Sequence, residues 1–526
     1  MNQHDKTRFD ALVEWSRKHG AELHPSLEIY RDNVTGYSLR VNPSFTEPLG
    51  LGFVAVTCPL STTLSFLNVL VDGPLDISSE SSFSSLNTAF PPRFMQSLPP
   101  HVIARFFLIK EYLKGKQSFW WPYLATLPAP EQIAVWALPP FWPDDDVVYL
   151  DGTNAGIAIA EIQANIKKEF KQARKVLKEE NWSGYSGYTQ LLYKWAYSIF
   201  TSRSFRPSLI LSPDTQRRVA MCLPEGCRID DFSILQPLFD IANHSPTARH
   251  AWDIIATANG REEACRLICH DPYHPSEQVF NNYGPDKTNS ELLLAYGFIL
   301  PETDALHNDY VHVRRRGPAT DADGDGGDST SGQQQPKDFL ISLRPITHPS
   351  SLAAHARLRL DAIASSLASS SALSSPLAML PYFTHFEPAL VDDLASTVAL
   401  PEEQEVLRRW TSASKNADCA DAIGLPQELA GMVDRVRGIL AGKLRTDLLR
   451  LRSVRVDGDR DEGVERNNAE EGGVEHDEVV VLPAPGSRNQ VLAAEYRRRC
   501  EKVLRCALEA LKGDGTANGR YAAECS

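Results

Sequence analysis

The sequence predicts an α+β chain: a β-rich domain interrupted by an all-α insertion, followed by a mainly α-helical C-terminal domain. Three observations carry this. Short alternating or apolar runs of strand type occur within the first 60 residues and return over 233–283. Between them, apolar residues recur at helical spacing. Beyond a Gly/Asp/Ser/Gln-rich stretch at 315–337 the texture is helical almost to the end. At 526 residues the chain is too long for one compact core. The divisions read as 1–92 (N-terminal helix and first part of the β-rich domain), 93–230 (helical insertion) and 231–310 (its second part). A disordered linker over 311–338 and a helical domain over 339–526, with an acidic loop at 457–477, complete it.

Phe9, Leu12, Val13 and Trp15 open an amphipathic helix that should end near Gly20. The runs LEIY, YSLRVN and LGLGFVAVTCPL then read as strands. In the insertion, Val102, Phe106, Ile109 and Leu113 share one helical face. Ile162, Ile166, Phe170, Ala173 and Leu177 share another, and Leu192, Trp195 and Ile199 a third. The last helix carries the stripe Leu492, Tyr496, Val503/Leu504 and Leu511, with Gly513 as its stop and Arg497–Arg499 as a solvated face. Residues 315–337 and 457–477 are too polar to pack, and 365–376 reads equally as a frayed helix or a loop.

The formal net charge of −13 argues against binding a nucleic-acid backbone and suits a basic, Lys-rich protein segment. No run approaches 18 apolar residues and the N-terminus has no apolar signal core, so an intracellular protein without a membrane span is expected. Nine cysteines, an odd number at irregular spacing, argue against a disulfide framework. Cys265-x3-Cys269-His270 with His274 lacks the tight pairing of structural zinc sites, so no metal is expected.

Two stretches carry more polar chemistry than packing needs. LFDIANHSP (238–246) reads as a strand running into a polar turn, with Asp240, Asn243 and His244 at the edge of a core. Buried polar groups without partners cost about 1–3 kcal/mol each, so the fold or a ligand must satisfy them. In VFNNYGPDKTNSELLLAYGF (279–298) a short strand should end at Tyr283-Gly284. Thr288 and Glu291 form a capping box for a short helix, and Gly297 closes it. Tyr283 and Tyr296, each followed by glycine, bracket that helix.

Asp240–His244 followed by Tyr283–Gly284, Asn289, Glu291 and Tyr296–Gly297–Phe298 resembles the motif pair of the SET-domain protein methyltransferases. In particular it resembles the branch typified by the Rubisco large-subunit lysine methyltransferase, with its split SET domain and C-terminal helical substrate-binding domain. LGLGFVAV (49–56) is similar to that family's cofactor turn, although Leu49 stands where an acidic residue is often found. KEYLKGKQSFWWPYLATLP (110–128) and TSRSF (201–205) resemble the two ends of its insertion. The resemblance implies S-adenosyl-L-methionine as cofactor and transfer of its methyl group to a lysine side-chain nitrogen of a protein. It implies Tyr283 as the catalytic residue, and Leu49, Gly50, Leu51, Arg203, Asp240, Asn243, His244 and Tyr283 around the cofactor. Phe205, Phe239 and Tyr296 would line the lysine channel. A protein-histidine methyltransferase of the same fold has Asn where Phe205 stands, and an inactive SET-like adaptor is the other alternative. The implied partner is a basic segment of a ribosomal protein, elongation factor or histone-like protein, met by a monomer in the cytoplasm or nucleus. Direct contact with nucleic acid or membrane is not expected.

Overall fold

The computed structural model describes residues 2–75, 88–256, 263–315, 337–355, 376–416, 424–457 and 479–513. It divides into two compact units, one of residues 1–141 with 161–285 and one of 142–160 with 286–526.

The first unit opens with α1 (Gln3–Lys18), whose first turn is capped by Asn2, its side chain accepting the Asp5 N–H at 2.8 Å. Strands β1 (Glu22–Leu23), β2 (Leu27–Asp32), β3 (Gly36–Val41) and β4 (Phe53–Pro59) precede the insertion. Strands β5 (Ser204–Phe205) and β6 (Ile234–Leu235) lie at its end, and β7 (His250–Ala256), β8 (Glu263–Cys269) and β9 (Gln278–Val279) follow it. Three sheets result, in the orders β1-β4-β8-β7, β2-β3-β9 and β5-β6. Both larger sheets draw strands from both sides of the insertion. β4 pairs antiparallel with β8 (Phe53↔Cys269 to Pro59↔Ala264), and β3 pairs with β9 (Leu39↔Val279). β4 is an apolar run whose burial does not alternate: the adjacent Ala55 and Val56 are both buried, as is Cys58, and the register with β8 shifts between Val54 and Val56.

The insertion is helical, as its periodicity predicts: α2 (Pro100–Lys114), α3 (Asn154–Glu179) and α4 (Gln190–Arg203) are its long helices. Their shared interior holds Phe106, Phe107, Tyr193 and Trp195 and one polar knot. Glu169 of α3 accepts bonds from Arg105 Nη1 (2.7 Å) and the Tyr193 hydroxyl (2.8 Å), with His101 Nε2 at 3.1 Å. Such a carboxylate is tolerated at an apolar interface only because all its neighbours are donors.

Two local readings need correction. Residues 238–246 are not a strand entering a turn. Leu238 adopts φ 68°, and a single 3-10 turn, Phe239–Ile241, follows it. An apolar run around Asp240 suggested a strand, but tertiary packing holds a buried leucine at positive φ, at the cost of local strain. The strand expected up to Tyr283 shrinks to β9 and an isolated parallel bridge, His244↔Asn281.

The second unit begins at 286, not at 311, and it also takes 142–160 from within the expected insertion. Side-chain bonds explain both differences. Asn289, first residue of α5 (Asn289–Tyr296), donates from Nδ2 to Asp309 Oδ1 (2.7 Å) and to the Leu300 carbonyl (3.1 Å). Its Oδ1 accepts the Leu300 N–H (2.8 Å), so 286–310 is bound into one piece. The ends of the expected linker are paired strands, β10 (Tyr310–Arg315) and β11 (Lys337–Ser342), joined from Tyr310↔Ser342 to Arg315↔Lys337. The rest of that stretch, the acidic loop beyond Asp457 and residues 365–375 lie outside the described residues.

Arg497 explains the capture of 142–160. Read as solvated, it is buried on the last helix, α7 (Arg488–Lys512), and its guanidinium donates to the carbonyls of Asp151, Leu451 and Val454. Leu451 belongs to helix α6 (Ala430–Arg452). Gly152 is obligatory beside this clamp: at φ +80° a Cβ there would lie 2.6 Å from the Arg450 carbonyl oxygen. The stripe of α7 is otherwise as expected, with Tyr496, Val503, Leu504 and Leu511 buried. The α5 capping box and the left-handed Gly297 also match the sequence reading. Among the described residues no helix is long and apolar enough to cross a membrane.

His307 lies fully buried in this unit with its ring stacked on Tyr310, centroids 5.1 Å apart. Burial, and then the charge of Arg344, pull its pKa down to about 3. The unfolded chain therefore takes up a proton below about pH 6.5 that the folded unit refuses, so stability falls with pH from there towards pH 3. The limiting slope is about 1.4 kcal/mol per pH unit. A pH series of denaturant melts on the wild type and on His307→Leu should show the steeper acid loss in the wild type.

Candidate active site

The crossing of two distant segments builds the site. The carbonyl of Asn243 accepts the Asn281 N–H (2.8 Å), and the Ser245 N–H donates to the Asn281 carbonyl (2.9 Å). This short parallel ladder brings Tyr283 to His244: the Tyr283 N–H donates to His244 Nδ1 (3.0 Å), and the rings stack at 5.1 Å and 23°. The Tyr283 hydroxyl donates to the Ala242 carbonyl at 3.1 Å. That bond commits the hydroxyl proton. The Asn243 side chain faces Gln278, Nδ2 to Oε1 at 3.5 Å. Asn282 secures the turn beyond, donating to the Pro246 carbonyl (3.0 Å) and accepting the Gly284 N–H (3.0 Å).

An ion pair between a buried carboxylate and a partly exposed guanidinium lies in the same wall. Asp240 does not pair with His244. Its Oδ2 accepts from the Tyr123 hydroxyl (2.9 Å) and lies 3.3 Å from Arg203 Nη1, at the C-terminal end of α4. Burial pushes the Asp240 carboxyl above the usual carboxylate range, against the pull of Arg203 and of the Tyr123 hydroxyl. Burial lowers Arg203, but the charge of Asp240, with Tyr123 and Tyr283, outweighs it and raises the guanidinium. Burial and the Asp240 charge raise the Tyr123 hydroxyl well above its ordinary value. Asp240 Oδ1 is buried and has no hydrogen-bond partner among the described residues. A site with an orphaned acceptor and a half-exposed guanidinium suits a ligand bearing both donors and a carboxylate.

Three aromatic rings form the next surface. Phe205 on β5 packs edge-on against Phe239 (5.2 Å) and Trp252 (5.3 Å), which themselves lie 6.3 Å apart. Phe239 is wholly buried and Phe205 nearly so. Trp252, on β7, also donates its indole N–H to Asn281 Oδ1 at 3.1 Å. Neither Trp252 nor Tyr123 was among the residues singled out from sequence. Each is one aromatic among many, and its partner lies far along the chain.

The turn 49–52 is held by its own bonds, with Leu49 bridged to Tyr273 and the Gly52 N–H donating to the Cys269 carbonyl (2.7 Å). The side chain of Leu51 is exposed, and Gly50 has open space around it. Tyr296 belongs to the second unit, where Lys287 Nζ lies 6.0 Å above its ring. Cys265 and Cys269 are buried on β8, Cys265 opposite Cys58 of β4. Among the described residues no cluster of His, Cys, Asp and Glu could hold a metal ion.

Comparison with known proteins identifies this architecture. No protein-family profile matches the chain. It aligns over 97% of its length with a crystal structure of the SET domain of LSMT bound to lysine and AdoHcy, covering 92% of that chain, with a TM-score of 0.56 and 15% identity. The fold is therefore that of a SET-domain protein. The chain is 28% identical over 316 residues to a ribosomal lysine N-methyltransferase of Schizosaccharomyces pombe, covering 58% of this chain and 49% of the relative. It is 23% identical over 312 residues to an actin-histidine N-methyltransferase of Homo sapiens, covering 58% and 44%. The chain spans about half the length of these curated relatives. The fold shared with the solved LSMT structures is a split β-rich domain with helical regions within and after it.

Tyr123→Phe should destabilise the first unit by about 1–3 kcal/mol, because a buried carboxylate loses a donor. Asn243→Ala should melt near the wild type, because the crossing uses that residue's backbone carbonyl. Thermal melts of both variants without ligand test the pair.

Proposed function

We propose that this chain is an S-adenosylmethionine-dependent protein-lysine N-methyltransferase. The observation that carries the reading is the crossing of Asn243–Ser245 with Asn281, which holds Tyr283 beside His244 in a fold shared with LSMT. Leu49, Gly50, Leu51, Arg203, Asp240, Asn243, His244 and Tyr283 are the residues that would hold the cofactor. It would supply an activated methyl group on a sulfonium centre.

The protein's part is alignment and dehydration. A lysine ammonium has no lone pair, so its stem must enter an apolar surface that disfavours the charged form. Phe205 and Phe239 supply such a surface. The Tyr283 oxygen, its proton committed to Ala242, would accept an amine N–H and turn the nitrogen lone pair towards the methyl group. Orientation of that kind is worth several orders of magnitude in rate. The second unit would dock the protein substrate, a basic segment attracted by the chain's negative charge. A monomer working in the cytoplasm or nucleus fits this reading.

A histidine acceptor is the second reading, motivated by the actin-histidine relative. Phe205 disfavours it, because an imidazole needs a hydrogen-bond partner that a phenyl ring lacks. An inactive adaptor would have no use for the hydroxyl of Tyr283.

Incubating purified protein with tritiated S-adenosylmethionine and a lysate lacking this activity, then mapping the labelled band by mass spectrometry, should find methyl-lysine. Methyl-histidine would select the second reading, and no labelling would reject both. Tyr283→Phe should cut turnover about a hundredfold or more while cofactor affinity by calorimetry changes little. Asn243→Ala should weaken cofactor binding roughly tenfold to a hundredfold, the equivalent of one lost buried hydrogen bond.

A further inference from the structure

Asn281 is the most heavily used residue of the crossing. It is fully buried, its backbone carries both bonds to the Asn243–Ser245 segment, and it lies two residues before Tyr283. Its side-chain oxygen accepts two bonds, from the Asn282 N–H (2.8 Å) and from the indole of Trp252 (3.1 Å). Trp252 comes from a different sheet neighbourhood: β7 pairs with β8, and Trp252 stands opposite Leu267. The same indole meets Phe205 and Phe239 edge-on. One half-buried side chain thus touches the aromatic surface with its ring and the Tyr283-bearing segment with its only polar atom.

We infer that Trp252 is a positioning residue: its indole sets the distance between the aromatic surface formed by Phe205 and Phe239 and the segment that carries Tyr283. The chemical logic is geometric. If the aromatic surface holds the acceptor's aliphatic stem and Tyr283 orients its nitrogen, the two must keep register for the nitrogen to sit in line. Among the described residues β5, which carries Phe205, pairs only with β6, and no backbone bond joins it to the Asn281 segment. The indole N–H is a rigid link between them, because a planar ring fixed by edge-on packing leaves its N–H one direction to point. A phenylalanine there would keep the ring contacts and lose only the link. This inference rests on the proposed transferase activity.

The test is a double-mutant cycle of Trp252→Phe and Asn281→Leu, with total ribosomal protein as acceptor and tritiated S-adenosylmethionine as donor. Trp252→Phe should lower kcat about tenfold or more, with KM for the acceptor, cofactor affinity and melting temperature close to wild type. Because both variants break one link, the double variant should be no slower than the slower single variant. A Trp252→Phe kcat within twofold of wild type overturns the inference. So does a loss matched by the loss of folded protein, or multiplicative effects in the cycle. If Asn281→Leu does not fold, the kcat-against-KM split of Trp252→Phe alone decides. If the wild type transfers no methyl group to this acceptor or to lysate protein, the failure lies with the transferase reading and not with Trp252.

Discussion

Two backbone hydrogen bonds join residues 243–245 to residue 281, and the placement of Tyr283 in the candidate site hangs on them. They are parallel bonds between segments that elsewhere belong to turns, so neither segment would hold its shape alone. Once they form, the stacking of His244 on Tyr283 and the bond from the Tyr283 hydroxyl to Ala242 follow from chain connectivity. Backbone bonds make the crossing indifferent to side-chain identity at Asn243. The carboxamide is left for another purpose.

The second constraint is electrostatic. A carboxylate inside an apolar domain must be matched by donors, and Asp240 draws one from α4 and one from Tyr123. The same economy recurs in the helical insertion around Glu169, and in the second unit where Arg497 gathers carbonyls that would otherwise point at nothing. In each place a charged group joins elements that have little apolar surface in common. These groups decide which segments belong together, which is why 142–160 sorts with the second unit.

What the sequence discloses and what it withholds divide along the range of the interaction. The capping box of Thr288 and Glu291, the left-handed Gly297 and the helical stripes of the insertion are local, and each is legible within about ten residues. Asp240, Asn243, His244 and Tyr283 were legible as unusual polar and aromatic residues, with Arg203 implied only by the resemblance, and the fold joins Asp240 to Arg203 and His244 to Tyr283. Their pairing was not: Asp240 finds Tyr123 at a separation of 117 residues. The bend at Leu238 could not be read at all, because its residue type opposes the conformation it adopts. Arg497 was misread for a related reason, since a guanidinium on a helix looks solvated until carbonyls from 151, 451 and 454 are placed around it.

The interleaving of the sheets has a consequence for how the chain is made. β3 and β4 leave the ribosome early, yet their partners β9 and β8 lie beyond residue 262. At about 5–20 residues per second, those edges wait roughly 10–45 s for completion. During that time the β4 run FVAVTC offers an open, apolar strand edge to any neighbour. The helical insertion is synthesised in the interval, and the contact of α2 with α4 is local enough to form at once. The chain thus acquires a folded helical body before its β-rich part can close. Slow translation between residues 60 and 260 would prolong the exposure, and a chaperone that covers strand edges would shorten it.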